Sequence, residues 1–419
     1  MTFFFYTFYN LLLLLAIPFI WLAAYFNEKL GSSLSGQKDI KIALASFNKK
    51  VKREPKPIVW LHAASAGEFE QIKPFLTRLR IMDVYIFLTF SSPTIFYKVS
   101  HSELFDGVSF LPWDFYPRVN RFISELKPQI FINTRHDIWP NLQLALHRNR
   151  VRNILVNGNL YHDSTRLKPI IKNINRSVFR FIDHIYTGSK SLATLLNNVY
   201  AGAIDVVGDT RFDQVAERAQ QNDQTLLSKD LIADRRVIIY GSVVNSDLKV
   251  VCSAIAKSLN KENILHVLVP HEVMERDLIP WESELYRHKV KSIRYSEIEY
   301  FAGESVIIWN KVGQLADLYK HASLAYIGAG FTTGVHSVTE AAIYHVPSAH
   351  GPKFSILAEA IELVEAQLST VVTTDEDLLA FLKLDENAIA QLSGDIAGFI
   401  QARLGATDKI IEQEFPLKT

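Results

Sequence analysis

Two stretches of this 419-residue chain carry residue types at spacings that can do chemistry. The first, His62-Ala-Ala-Ser65-Ala-Gly67-Glu68, leaves an apolar run and enters a helical pattern. Ser65 and Glu68 have the S-x-x-E spacing of a capping box, and a glutamate in a first turn is favoured by the helix dipole. The same carboxylate, beside a Gly67 that leaves room for a substrate, is also placed to take a proton as general base. Both readings stand on these residues alone. The second stretch runs from Gly328 through Gly330, Gly334, His336 and Ser337 to Glu340, a glycine-rich turn between a strand pattern and a helix pattern. Backbone N–H groups at such a helix start suit the phosphate of a nucleotide, and Glu340 would accept from ribose hydroxyls. The spacing is not G-x-G-x-x-G, and an ordinary tight βα turn reads the same way.

Other patterns point to less. Asp375-Glu376-Asp377 has the D-x-D spacing of metal-dependent sugar transferases, but it opens an apolar helix, where capping accounts for it. His271-Glu272-Val-Met-Glu275 is half of a zincin helix and lacks the second histidine. Without a Walker A lysine or a G-x-S-x-G elbow, metal, phosphoryl-transfer and serine-hydrolase chemistries lose ground. The 45 basic and 44 acidic side chains leave a formal charge of +1 and no whole-protein footprint for nucleic acid. Cys252 is the single cysteine, so the chain holds no internal disulfide and no cysteine zinc site.

The elements that position these residues alternate short β-branched or aromatic runs with longer helical patterns, as βαβ units of a parallel sheet do. The predicted strands of a first series are 58–62, 84–89, 107–111, 129–134, 153–156, 184–186 and 204–207. A second series follows at 237–240, 265–269, 290–294, 306–309, 324–327 and 370–372. The expected organisation is an anchor helix at 1–26, a basic linker at 27–56 and a Rossmann-like domain at 57–207. An interdomain linker at 208–235, a second Rossmann-like domain at 236–400 and a C-terminal segment at 401–419 follow. In such α/β folds ligands sit at the carboxyl ends of the strands, which makes a cleft between the two halves the default site.

Phe3 to Phe26 carries no charged side chain and would run roughly 36 Å as a helix, long enough to span a bilayer core. No Lys or Arg precedes it and it exceeds the apolar length of a secretory signal, so a retained anchor is expected. Lys29, Lys38, Lys41, Lys49, Lys50, Lys52 and Arg53 follow, opposed by Glu28 and Asp39. This positive flank puts the body on the cytoplasmic side and suits anionic headgroups.

Taken in order, the segments resemble the Kdo transferase family, which attaches 3-deoxy-D-manno-octulosonic acid (Kdo) to lipid A precursors. The resemblance rests on WLHAASAGE (60–68), TFSSPT (89–94), LPWD (111–114), IWPN (138–141), LVNGNL (155–160) and VVGDTRFD (206–213). It continues in GSVVNSD from Gly241, VLVPHE from Val267, GAGFTTGVHSVTEAA from Gly328 and VPSAHGPKF from Val346. It implies the two-domain α/β fold known as GT-B, with two Rossmann-like domains whose parallel sheets face across a cleft, behind a membrane helix. It also implies transfer from CMP-Kdo with inversion, without a metal or other cofactor, in the lipopolysaccharide pathway at the inner membrane. Glu68 matches the family's general base, with Ser65, Gly67 and Asp137 beside it. Gly330, Gly334, His336, Ser337 and Glu340 fall where CMP is held. Three segments depart from the family pattern. Arg135-His136-Asp137 replaces E-T-E, His271-Glu272 replaces the R-H of V-P-R-H, and His336-Ser337 with Glu340-Ala341 replaces H-N-x-x-E-P. His271 then stands in for an arginine at the donor site, and Arg211, in GDTRFD, would supply a compensating positive charge. The rival readings are a GT-B transferase for another nucleotide sugar or lipid acceptor, and a membrane-anchored, catalytically lapsed homologue that binds lipid or a partner.

Overall fold

The computed structural model describes residues 2–135, 137–160, 164–221, 225–232, 234–259 and 263–416, apart from the side chains of residues 2, 3 and 170. His136 of the Arg135–Asp137 departure and residues 222–224 of the polar stretch after the first strand series lie outside them. The chain divides into two compact units, residues 1–214 with 403–419, and residues 215–402.

The first unit holds a seven-stranded sheet of β1 (Ile58–Ala63), β2 (Tyr85–Phe90), β3 (Gly107–Phe110), β4 (Ile130–Thr134), β5 (Arg152–Val156), β6 (His184–Thr187) and β7 (Ala203–Val206). Its order is β3-β2-β1-β4-β5-β6-β7 and every pairing is parallel. All six residues of β1 and of β2 are buried, which is why these strands read as unbroken apolar runs rather than as alternating ones. Alternate residues feed two cores. Val59, Leu61 and Ala63 pack with α3 (Ala66–Arg80), while Ile58 and Trp60 pack with Phe87, Phe122 and Phe131 on the other face.

The second unit repeats the plan with β8 (Arg236–Val243), β9 (Ile264–Pro270), β10 (Ser292–Arg294), β11 (Val306–Ile308), β12 (Leu324–Ile327), β13 (Ser348–His350) and β14 (Ser369–Val371). The order is β10-β11-β9-β8-β12-β13-β14, again parallel throughout. β13 is absent from the expected strands. It is buried but polar at both ends, Ser348 and His350, and is set between a proline and a glycine.

Three boundaries differ from expectation. Residues 27–56 are no linker: Asn27 caps a 26-residue helix, α2 (Glu28–Arg53), by accepting from the Leu30 N–H at 3.1 Å. Gly36, Ile40, Leu44 and Phe47 form its buried stripe, and it covers the edge of β3. A Cβ on Gly36 would meet the Phe110 ring at 2.2 Å, so glycine lets the helix approach. The division between units falls within the expected linker at 208–235, but that stretch opens as a helix, Thr210–Gln221, and the division lies inside it. The end of the chain packs on the first unit: Asp213 accepts from the Gly405 and Thr407 N–H groups at 2.7 Å, and Glu414 pairs with Arg152 at 2.8 Å.

The apolar N-terminal segment is one helix, α1 (Thr2–Phe26), long and apolar enough to cross a membrane. Its first turns are tied to the first unit by polar side chains. Tyr6 donates to the Pro140 carbonyl at 3.1 Å and Tyr9 to the Asp114 carboxylate at 2.9 Å, while Asn10 and Asn141 exchange amide hydrogen bonds.

Candidate active site

In the first sheet β2 and β3 lie to one side of β1 and β4 to β7 to the other, so the strand order reverses between β1 and β4. Loops leaving the carboxyl ends of two such strands diverge and leave a crevice for ligands. Residues 64–67 follow β1 and residues 135–139 follow β4, so the topology alone delivers Glu68 and Asp137 to one place.

Ser65 caps α3 with extended backbone, its Oγ accepting the Glu68 N–H at 3.3 Å, and Glu68 Oε2 accepts the Ala64 N–H at 2.6 Å. Capping is thus real, and it fixes the glutamate rather than exhausting it. Burial raises the Glu68 carboxyl above its ordinary range. The negative charge of Asp137 pushes the same way, against the Ala64 N–H and the positive influence of His62 and Arg135. Gly67 is exposed, and a Cβ there would meet nothing within 4 Å, so packing does not require glycine at this position.

Asp137 anchors a network that sequence reasoning missed. Its Oδ2 lies 2.6 Å from His62 Nε2 and accepts from Ser91 Oγ at 3.0 Å. His62 Nδ1 lies 3.0 Å from the Thr89 carbonyl, which can only accept, so that nitrogen carries a hydrogen. Burial would raise the Asp137 carboxyl, but the bond and charge of His62, with Ser91 and Trp139, hold it below the ordinary range. Arg135 sits at φ +59°, a left-handed conformation, where the chain turns away from β4. The signal for His62 was available, since it is a polar residue at the end of a wholly apolar strand.

The second sheet reverses between β8 and β12, and the expected donor residues gather at those ends and at the end of neighbouring β9. His271, following β9, stacks on His336 with ring centroids 4.5 Å apart and planes 17° from parallel. Burial and then His271 lower the His336 imidazole below its ordinary range. Asp247 holds the glycine-rich loop, accepting the Ala329 and Val244 N–H groups at 2.9 Å each and the Tyr326 hydroxyl at 2.9 Å. A Cβ on Gly330 would meet Gly351 backbone at 2.6 Å, and Gly334 has φ +115°, so both are demanded by the protein itself. Ser337 Oγ lies 3.0 Å from Thr339 Oγ1. Glu340 falls in the first turn of a four-residue helix, Thr339–Ala342. Arg211 belongs to the first unit, half-buried near the start of the Thr210–Gln221 helix, apart in the chain and in unit from the other donor candidates. The Asp375 triplet opens a helix as expected, with Thr374 and Asp377 forming a capping box.

The fold of this chain recurs in solved structures. A UDP-N-acetylglucosamine 2-epimerase superposes with TM-score 0.63 at 13% identity, covering 87% of this chain and 97% of that one. MurG of Acinetobacter baumannii gives 0.55 at 12%, covering 86% and 99%. That likeness is one of fold. Residues 39–214 match the family model of the 3-deoxy-D-manno-octulosonic-acid transferases (kdotransferases). The 3-deoxy-D-manno-octulosonic acid transferase of Chlamydia muridarum is 26% identical over 340 residues, 75% of each chain. That of Aquifex aeolicus is 24% identical over 323 residues, 75% of this chain and 83% of its own. Fold and relatives together define a GT-B glycosyltransferase. Within that class it is the 3-deoxy-D-manno-octulosonic acid transferases that the chain resembles, through its first unit and through these relatives.

Proposed function

We propose that this protein transfers Kdo from CMP-Kdo to a hydroxyl of a lipid A precursor at the cytoplasmic face of the inner membrane, inverting the anomeric carbon without a metal. The observation that carries the reading is the position of Glu68: capped onto α3 and half-buried beside Asp137, at the strand-order reversal of the unit that the family model matches. In the reaction the acceptor oxygen attacks the anomeric carbon of Kdo and its proton passes to Glu68. The bond from that carbon to the CMP phosphate oxygen breaks, and CMP leaves as the anion. A carboxyl held above the ordinary range is a stronger base than a solvated one. Asp137, held low by His62, serves as a fixed negative charge beside an oxocarbenium-like centre. In the second unit, His271 and His336 with the N–H groups of the glycine-rich loop suit the donor phosphate, in place of the family's arginine.

The test is conversion of CMP-Kdo and a tetraacylated precursor by the full chain, read as a mass shift of the lipid, for wild type and Glu68→Gln. Glutamine keeps an oxygen to accept the Ala64 N–H but cannot take a proton. Transfer should fall by about 10² to 10⁴, and near-wild-type transfer would remove Glu68 from the role. Another donor is tested separately: stabilisation by UDP or GDP but not by CMP in a thermal-shift assay would redirect the reading to a different nucleotide sugar.

A further inference from the structure

A groove of about 880 Å³ runs between α1, α2 and the Tyr116–Leu126 helix, near the top of the roughly 300–1,000 Å³ range of small-molecule pockets. Leu14, Ile17 and Trp21 of α1 form one wall, with Leu34 and Leu44 of α2 opposite and Trp113 at the end of β3. Lys38, Lys41 and Arg118 line it as well, exposed and paired with no carboxylate among the described residues. The fourth cation, Arg121, is held by Glu125 at 2.7 Å. An apolar trough with unpaired cations at its rim matches a ligand that is apolar in body and anionic in head.

Its place in the fold narrows the ligand further. The groove opens at the carboxyl end of β3, on the same edge of the sheet that carries Glu68 after β1 and Asp137 after β4. Asp114, which receives Tyr9 of α1, also holds the N–H groups of Asn141 and Leu142, a few residues beyond Asp137. α1 is tied at Tyr6, Tyr9 and Asn10, and its far end passes through Asn27 into α2, which Gln37 ties to the Leu111 carbonyl at 2.8 Å. Its outward residues Leu11, Leu15, Phe19 and Leu22 stay open for hydrocarbon, 52% to 72% exposed. One face of α1 therefore meets the bilayer while the other roofs the groove.

We infer that this groove receives the acyl chains of the acceptor lipid, its anionic head lying on Lys38, Lys41 and Arg118 and its sugar reaching toward Glu68. The inference rests on the acceptor proposed above. A lipid so held passes from bilayer to site beneath α1 without exposing its chains to water, which ties recognition of the acceptor to the membrane helix.

The full chain in detergent, with CMP-Kdo saturating, is assayed on the tetraacylated precursor and on its deacylated sugar. Ile17→Trp fills the trough from an open wall, and Lys38→Glu with Lys41→Glu reverses the rim. Each should raise KM for the acylated acceptor by about tenfold, leaving kcat and the CMP-induced thermal shift at wild-type values; the deacylated sugar should be unaffected by Ile17→Trp and weakened by the charge reversal alone. An unchanged KM for the acylated acceptor in both variants overturns the inference. An independent readout is quenching of Trp21 and Trp113 fluorescence by precursor brominated along its chains. Quenching that is lost in Trp21→Phe/Trp113→Phe supports the groove even if no transfer occurs, in which case only the proposed reaction falls; absence of quenching beyond that double variant's level overturns the groove.

Discussion

The two sheets share strand number, direction and a reversal beside their first strand, yet they place opposite chemistry at it. At the first reversal titratable groups face one another: Glu68 and Asp137 beside His62, Arg135 and Ser91, with one carboxyl pushed up and the other held down. At the second, the one buried carboxylate of the loop region, Asp247, is spent on fixing backbone, and what remains is glycine, N–H groups and a stacked histidine pair. The glycines differ in the same sense. Gly67 faces open space, whereas Gly330 is wedged against Gly351. In the proposed reaction the first edge moves a proton, and the second receives an anion against a rigid wall.

The largest test of this contrast is Glu68→Gln against Glu68→Ala. Both should lose about 10² to 10⁴ in kcat, but only alanine also loses the acceptor of the Ala64 N–H, at about 1 kcal/mol of stability seen in denaturant midpoints. Equal destabilisation by both would mean that the N–H contact adds nothing. Next, Gly330→Ala forces a Cβ onto Gly351 backbone and should cost about 1–3 kcal/mol with loss of CMP protection, while Gly67→Ala should leave stability within about 0.5 kcal/mol. An alanine at 330 that is as stable as wild type would undo the rigid wall.

Asp137→Asn probes the pair by pH. The Asp137 charge helps raise the Glu68 carboxyl, so its removal lowers that pKa and carries the acid limb of kcat to lower pH. The sign is fixed by the base's role, since the ionised form is active and protonation on acidification stops it. His62 also loses the charge of its partner at 2.6 Å, which should lower stability by about 1–3 kcal/mol. A limb that stays in place would separate Glu68 from Asp137 electrostatically.

How much of this was legible in sequence follows from what each feature depends on. Strands such as β1, β2 and β12 announce themselves by apolar runs, and Ser65 with Glu68 is a local spacing. The Asp137–His62–Ser91 network is not local. His62 is 75 residues from Asp137 and 29 from Ser91, and they meet only because parallel register sets His62 opposite Thr89 and Asn133. α2 was hidden by composition: its glycines, serines and lysines read as a linker, while one residue per turn, Gly36, Ile40, Leu44 and then Phe47, carries the packing. The last residues were equally opaque, because their bonds to Asp213 and Arg152 span roughly half the chain or more.

The smallest expected effect concerns pH in the second unit. His336 is held below the ordinary histidine range, first by burial and then by His271, so as pH falls the unfolded chain takes up this proton before the folded one does. Its contribution to stability is therefore full above the ordinary histidine pKa of about 6.5 and declines below it. His336→Gln should flatten the acid side of the melting profile by a degree or so, about what a few tenths of a kcal/mol produce in a domain of this size. Saturating CMP should also flatten it in the wild type, because a phosphate beside the pair favours the charged ring and narrows the gap between folded and unfolded pKa. If CMP flattens the His336→Gln profile as much as the wild-type one, the phosphate does not reach the histidines. The anion-receiving edge would then consist of backbone alone, which would sharpen its difference from the edge that carries Glu68.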